Sequence, residues 1–234
     1  MKIKKLSHKV LEEVADILSE GGIVCFPTDT IYGLLALARR KDAVERLYSL
    51  RRPSGRPFLL LLPDAGWVRE LGLRTGWVFT KLMEWFNATF IFYKKNTIPL
   101  YLTRGRKSLA VRIPPFDSHM HELLSLLQEP VVAPSANPEG ERPAVKIKEA
   151  VEYFGDLVDL YVDGGRKEGK PSTIVRALYP KGLRLIREGS IPFKDILHAY
   201  RGLANTFSSF PEDALSEFFS LDPSDPGPPF LPPR

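Results

Sequence analysis

Three times along this 234-residue chain a short apolar run lies against a cluster of small hydroxyl and amide side chains. Ile23 to Phe26 meets Pro27 and then Thr28, Asp29 and Thr30. Val131 to Ala133 meets Pro134 and then Ser135 and Asn137, while Ser172 and Thr173 open a third run that ends at Val175. Apolar stretches this short suit buried strands better than helices. In open α/β sheets, ligands sit where loops leave the strands. Hydroxyls and amides donate and accept, so such clusters suit a zwitterion or a polar nucleotide. The same residue types also build turns and caps, which leaves any one cluster ambiguous. Three of them, two with proline at the same place, point to a site.

The rest of the chain supplies the scaffold. Val10, Leu11, Val14, Ile17 and Leu18 recur at helical spacing behind Ser7, a candidate N-cap. Lys41 to Leu50, His119 to Leu127 and Lys146 to Phe154 read as further helices. Phe58 to Leu62, Phe90 to Tyr93, Leu109 to Ile113, Val158 to Val162 and Leu183 to Ile186 read as strands. Alternating strands and helices define an α/β chain, and the short late strands favour a mixed, twisted open sheet with flanking helices. The expected division is one domain over 1–204 and a proline-rich C-terminal tail over 205–234. Within the tail, Pro211, Glu212 and Asp213 offer one short helix start. The N-terminus is read as turning polar and helical at once, with no signal peptide.

Charge is modestly positive, +5 with a pI near 9.2, which fits a handler of polyanions such as ATP or RNA. Arg51, Arg52 and Arg56 form one cluster and Arg104, Arg106 and Lys107 another. Arg112 and Arg187 fall in or at the end of apolar strand patterns, where a guanidinium needs an anionic partner, either a bound phosphate or carboxylate or an internal Asp or Glu. Arg39, Arg40 and Lys41 read as a solvated helix start. The single cysteine, Cys25, excludes an internal disulfide and suits a reducing, cytoplasmic setting. It lies in a strand and reads as a small buried hydrophobe. No apolar run approaches the ~20 residues that span a bilayer, so no membrane partner is expected. The four histidines show no metal-ligand spacing, with His119 and His121 read as surface or capping residues, and no metal ligand is assigned. Neither a Walker A sequence nor GxGxxG is present.

The segments GGIVCFPTDTIYGLLALA, SLAVRIP, EPVVAPSANPEG and LYVDGGRKEGKPSTIV with LIREG resemble, in order and spacing, the successive motifs of the YrdC/Sua5 family over roughly residues 10 to 195. The resemblance implies a twisted α/β fold around a basic hollow. It also implies synthesis of threonylcarbamoyl-AMP and pyrophosphate from L-threonine, bicarbonate and ATP with Mg2+, a nucleotidyl transfer serving tRNA modification. On the matching positions, Thr30, Arg112, Ala133 and Ser172 would contact threonine. Arg52, Arg56, Ser108, Ser135 and Arg187 would contact ATP, and Asn137 completes the PSAN motif. Arg52 and Arg187 would act on the reacting phosphates. A partner complex would pass the product to tRNA.

The chain departs from the family at three places. A Lys-x-Arg-Pro element is replaced by Leu50-Arg51-Arg52-Pro53, so either Leu50 replaces the lysine or Arg51 takes its role. Trp-Pro-Gly-Pro-Leu-Thr is shortened to Trp85-Phe86-Asn87-Ala88-Thr89. A histidine found in some members is Leu61. Other readings left open are a module binding tRNA or double-stranded RNA, a carbamoyltransferase, and a paralogue of altered activity.

Overall fold

The computed structural model describes residues 2–51, 55–95, 98–178 and 182–208. Arg52 and nearly all of the expected tail, including Pro211 to Asp213, lie outside them. In chain order the elements are β1 (Ile3–Lys5), α1 (His8–Ser19), β2 (Val24–Pro27), β3 (Tyr32–Leu37), α2 (Lys41–Arg51), β4 (Leu60–Leu61), α3 (Trp67–Glu70), α4 (Trp77–Trp85) and β5 (Thr89–Tyr93). They continue with α5 (Leu100–Thr103), β6 (Ser108–Arg112), α6 (His119–Leu127), β7 (Val131–Val132), α7 (Ile147–Phe154), β8 (Leu160–Asp163), β9 (Ile174–Ala177), β10 (Leu183–Arg187) and α8 (Phe193–Ser208).

The strands form one mixed sheet in the order β1-β8-β2-β3-β7-β4-β6-β5-β9-β10, as the short late strands implied. Alternation along β3 sends its side chains to opposite faces. Leu34 and Ala36 join a large core with α2, α4, α7 and α8, whereas Leu35 and Leu37 join a smaller core with Leu11, Val14 and Leu18 of α1 and Leu123 and Leu124 of α6. With both faces covered, β2 and β3 are buried throughout, which explains their unbroken apolar sequence.

Beyond β4 the second face opens. Leu109, Val111, Phe90, Phe92, Val175 and Ala177 enter the large core. Their alternates Ser108, Ala110, Ile91, Ile174 and Arg176 remain partly exposed.

The sheet is curled as well as twisted. Arg112 pairs with Leu61, Leu61 with Val131, and Val131 with Leu37. In a flat sheet that level lies about 17 Å along the strand direction from Tyr32. Yet Arg112 forms an ion pair with Asp29, which precedes Tyr32. Only a sheet coiled across β3, β7, β4 and β6 allows that contact.

Several expectations need correction. The chain opens with β1, paired in parallel to β8, before the first helix begins. Ser7 stands at the N-cap of α1, but its side chain makes no capping bond. Strand β3 and helices α4 and α8 were not foreseen, and α8 runs past the expected 204/205 boundary to Ser208. Arg187 is exposed rather than embedded, because β10 is the last strand and its apolar residues stay partly open, with Ile186 at 45% exposure.

Candidate functional site

The three polar clusters are stitched into one assembly by backbone. Thr28 folds its segment into a tight turn, its amide and Oγ1 both donating to the Ile31 carbonyl at 3.0 and 2.7 Å. Gly33 bridges to Ser135, the Leu34 amide donates to the Pro134 carbonyl at 2.9 Å, and the Ala136 amide donates to the Tyr32 carbonyl at 2.8 Å. The third cluster joins when the Gly169 amide donates to the Thr30 carbonyl at 2.8 Å. A Cβ on Gly169 would lie 2.7 Å from that oxygen, so only glycine allows the approach. The Tyr32 hydroxyl donates to the Gly165 carbonyl at 2.6 Å and accepts from the Gly164 amide at 3.0 Å. Burial pushes this phenol up to about 12.

On the α6 side of the sheet stand the residues expected to hold an amino acid. Arg112 is 4% exposed and pairs with Asp29 through Nη2, while its Nε is buried with no partner among the described residues. A guanidinium with one edge engaged and a buried donor left over can accept a second, ligand carboxylate. Thr89, level with Arg112 across β5 and β6, shares a 2.8 Å hydrogen bond with the Ser172 hydroxyl. The threonine of the shortened Trp85–Thr89 segment therefore reaches the site. Ala133 packs on the smaller core beside Leu59, and Leu61 is buried in that core. Next to Asp29 lies an open cavity of about 180 Å3 lined by Pro27, Thr28, Ser118, His119, Met120 and Lys167.

Of the first cation cluster the structure describes Arg51 and Arg56, and Arg52 lies outside the described residues. Arg51 ends α2 buried, its Nε donating to the Ser135 carbonyl at 2.8 Å and its Nη2 to Ser135 Oγ at 2.9 Å and Asn137 Oδ1 at 3.4 Å. The Asn137 amide in turn donates to the carbonyls of Pro138 and Glu141. Leu50 packs against the large core, so among the described residues Arg51 is the cation that reaches Ser135. Asn137 is thus an organiser of the loop, its amide fully engaged within the chain. Arg56 is exposed on the segment beyond. Ser108 lies four residues from Arg112 on the same strand face, about 13 Å away. Arg187 is anchored where its Nη2 donates to the Ser172 carbonyl at 3.0 Å. Arg104 is not part of the site: it grips both oxygens of Glu45 at 2.9 Å and lies over the Tyr48 ring.

One feature was missed by sequence reasoning. Arg176 projects onto the half-open wall, its guanidinium 5.8 Å from the Tyr93 ring centre and its buried Nε unpartnered among the described residues. It is level with Arg184 on the neighbouring strand, two like charges side by side. The signal was present in the alternation Ile174-Val175-Arg176-Ala177, which places arginine opposite the core face. In the third cluster, the Thr173 hydroxyl accepts from the amides of Gly189 and Ile191 and donates to the Ile191 carbonyl. It locks the Arg187–Gly189 segment onto the third cluster.

Taken together, the mixed sheet, the half-open wall with its arginines and the three linked hydroxyl-bearing loops define a mixed α/β domain. The model of the Sua5/YciO/YrdC domain family, described as "Telomere recombination", matches residues 16–189, and the chain belongs to that family. It is 29% identical over 188 residues to a threonylcarbamoyl-AMP synthase of Pyrococcus abyssi, covering 78% of this chain and 54% of that protein. With a synthase of the same name from Halorhodospira halophila it shares 32% identity over 156 residues, 63% of this chain and 78% of the other. Among solved structures, P. abyssi Sua5 complexed with L-threonine superposes with a TM-score of 0.74 at 26% identity, over 85% of this chain and 59% of that one. The chain thus spans little more than half the length of the P. abyssi protein it resembles.

Proposed function

We propose that the chain is a nucleotidyltransferase that condenses L-threonine, bicarbonate and ATP into threonylcarbamoyl-AMP and pyrophosphate, supplying a tRNA-modifying transfer step in the cytoplasm. The observation that carries the reading is Arg112, buried under the Thr28–Thr30 turn with a spare Nε donor. The threonine complex of the P. abyssi protein and the shared synthase names support it.

In this reading the threonine carboxylate takes the free edge of Arg112, while Thr30 and Ser172 present hydroxyls to the amino acid. Fixing the carboxylate turns the amine toward the open wall. The threonine ammonium first gives up a proton to solvent; the free amine then attacks the carbon of bicarbonate, water leaves, and a carbamate remains. A carbamate oxygen then attacks the α-phosphorus of ATP, and the bond to pyrophosphate breaks. The chain needs no covalent nucleophile; it positions two anions and stabilises charge on the polyphosphate. Ser135, held by Arg51, and Arg187, held on Ser172, would frame the nucleotide with Arg56, and the family resemblance adds Arg52. Mg2+ enters with ATP as part of the substrate. Mass analysis of products from ATP, bicarbonate and a panel of amino acids tests the reading. A threonylcarbamoyl adenylate is expected; another adenylate, or none, counts against it.

A further inference from the structure

The helix pair α1 and α6 brings together three side chains that the sequence keeps far apart. His8 is the first residue of α1, and His119 and Glu122 sit three apart on α6, on one face. The Nδ1 of His8 lies 2.5 Å from Glu122 Oε1, and the imidazole rings of His8 and His119 are centred 5.4 Å apart at 38°. One ligand atom from each residue falls within 4.8 Å of the other two.

We propose that His8, His119 and Glu122 form a divalent transition-metal site of the zinc class. Two imidazoles and one carboxylate are the donor set that such ions prefer, and hard cations such as Mg2+ do not. Three protein ligands leave a coordination position for water or an exogenous ligand. Each donor reaches solvent, so an ion has a path of entry, and the Glu122 carboxylate offsets the positive helix ends that would oppose a cation. The ligands come from two helices whose apolar faces make the smaller core. An ion here ties the start of α1 to the start of α6. His119 also lines the cavity beside Asp29, so the ion site borders that cavity and shares His119 with it.

The test is calorimetric titration of ZnCl2 into the full chain, free of affinity tag and chelator-treated, in excess Mg2+, with Co2+ absorption as a second readout. Expected are one ion per chain, a rise in melting temperature on zinc addition, and a tetrahedral or five-coordinate cobalt spectrum. His8→Ala and His119→Ala each lower zinc affinity at least tenfold and abolish the thermal shift, and Glu122→Gln weakens both. His198→Ala, an exposed histidine on α8, changes neither. All three ligands are at the surface, so circular dichroism of the variants should match the parent. Absence of binding at 100-fold molar excess of zinc, or equal binding in the parent and both histidine variants, overturns the proposal.

Discussion

Arg51 reaches across 84 residues of sequence to hold Ser135 at two points, the backbone carbonyl and the side-chain hydroxyl. The end of α2 and the proline-bounded Ser135–Asn137 loop are thereby one unit, and the loop's position depends on a buried charge.

That pairing predicts a coupled loss. Arg51→Ala removes three hydrogen bonds and leaves buried acceptors behind, so unfolding in urea should show a loss of about 2–3 kcal/mol. ATP affinity should fall with it, because Ser135 is released. Arg51→Lys keeps the charge without the fork and should recover only part of either quantity. A variant that loses ATP binding at full stability would make Arg51 a direct phosphate ligand instead.

Arg112→Lys should leave the fold in place and weaken L-threonine by about 1.5–3 kcal/mol, the usual worth of a hydrogen bond to a charged group. Calorimetric titration decides it. Unchanged threonine affinity would remove Arg112 from the amino-acid site.

Much of the site was legible because its parts are local. The polar clusters announce themselves by proline and small hydroxyl residues beside strands, and Arg112 by a charge in an apolar pattern. What stayed hidden depends on long-range packing. That Arg51 turns inward to Ser135 while Leu50 packs on the core depended on the end of α2 in space. Arg187 shares the apolar flanks of Arg112, yet it is exposed, because sequence does not say which strand lies at the edge. Strand β3 was missed because the strand reading stopped at Pro27, and the apolar run Tyr32–Leu37 beyond the tight Thr28–Ile31 turn was left unassigned. The pairing of His8 with Glu122 rests on helix packing between residues 114 apart.

Gly189 tests the Arg187–Gly189 segment. A Cβ there would stand 2.1 Å from the Pro171 carbonyl and 2.6 Å from the Thr173 amide, all rigid backbone. Gly189→Ala should cost about 1–3 kcal/mol, as overpacking does, and disturb Ser172. Denaturant unfolding together with threonine titration would show both effects; a neutral outcome would mean that the segment moves freely.

Arg176 stands level with Arg184, and each like charge raises the demand for an anion on the half-open wall. Arg176→Ala should weaken ATP several-fold with little effect on threonine, and the loss should shrink as salt rises. Equal weakening of both ligands would point to a structural role.

Tyr32 predicts an alkaline limit. Its phenol loses a proton near 10 when unfolded but only near 12 when folded, so the unfolded chain holds fewer protons in that window. Stability is therefore intact below pH 10 and falls as pH rises toward 12. Tyr32→Phe should be less stable at neutral pH, since Gly164 and Gly165 lose their partner, and should show a shallower alkaline decline. An unchanged slope would contradict the assignment.

The most direct measurement is pyrophosphate release by the purified chain with L-threonine, bicarbonate, ATP and Mg2+, each omitted in turn. Release that requires both threonine and bicarbonate is the expected result. Well-folded protein that binds ATP yet releases no pyrophosphate in the complete mixture, or releases it equally without bicarbonate, would contradict the proposed synthesis of threonylcarbamoyl-AMP.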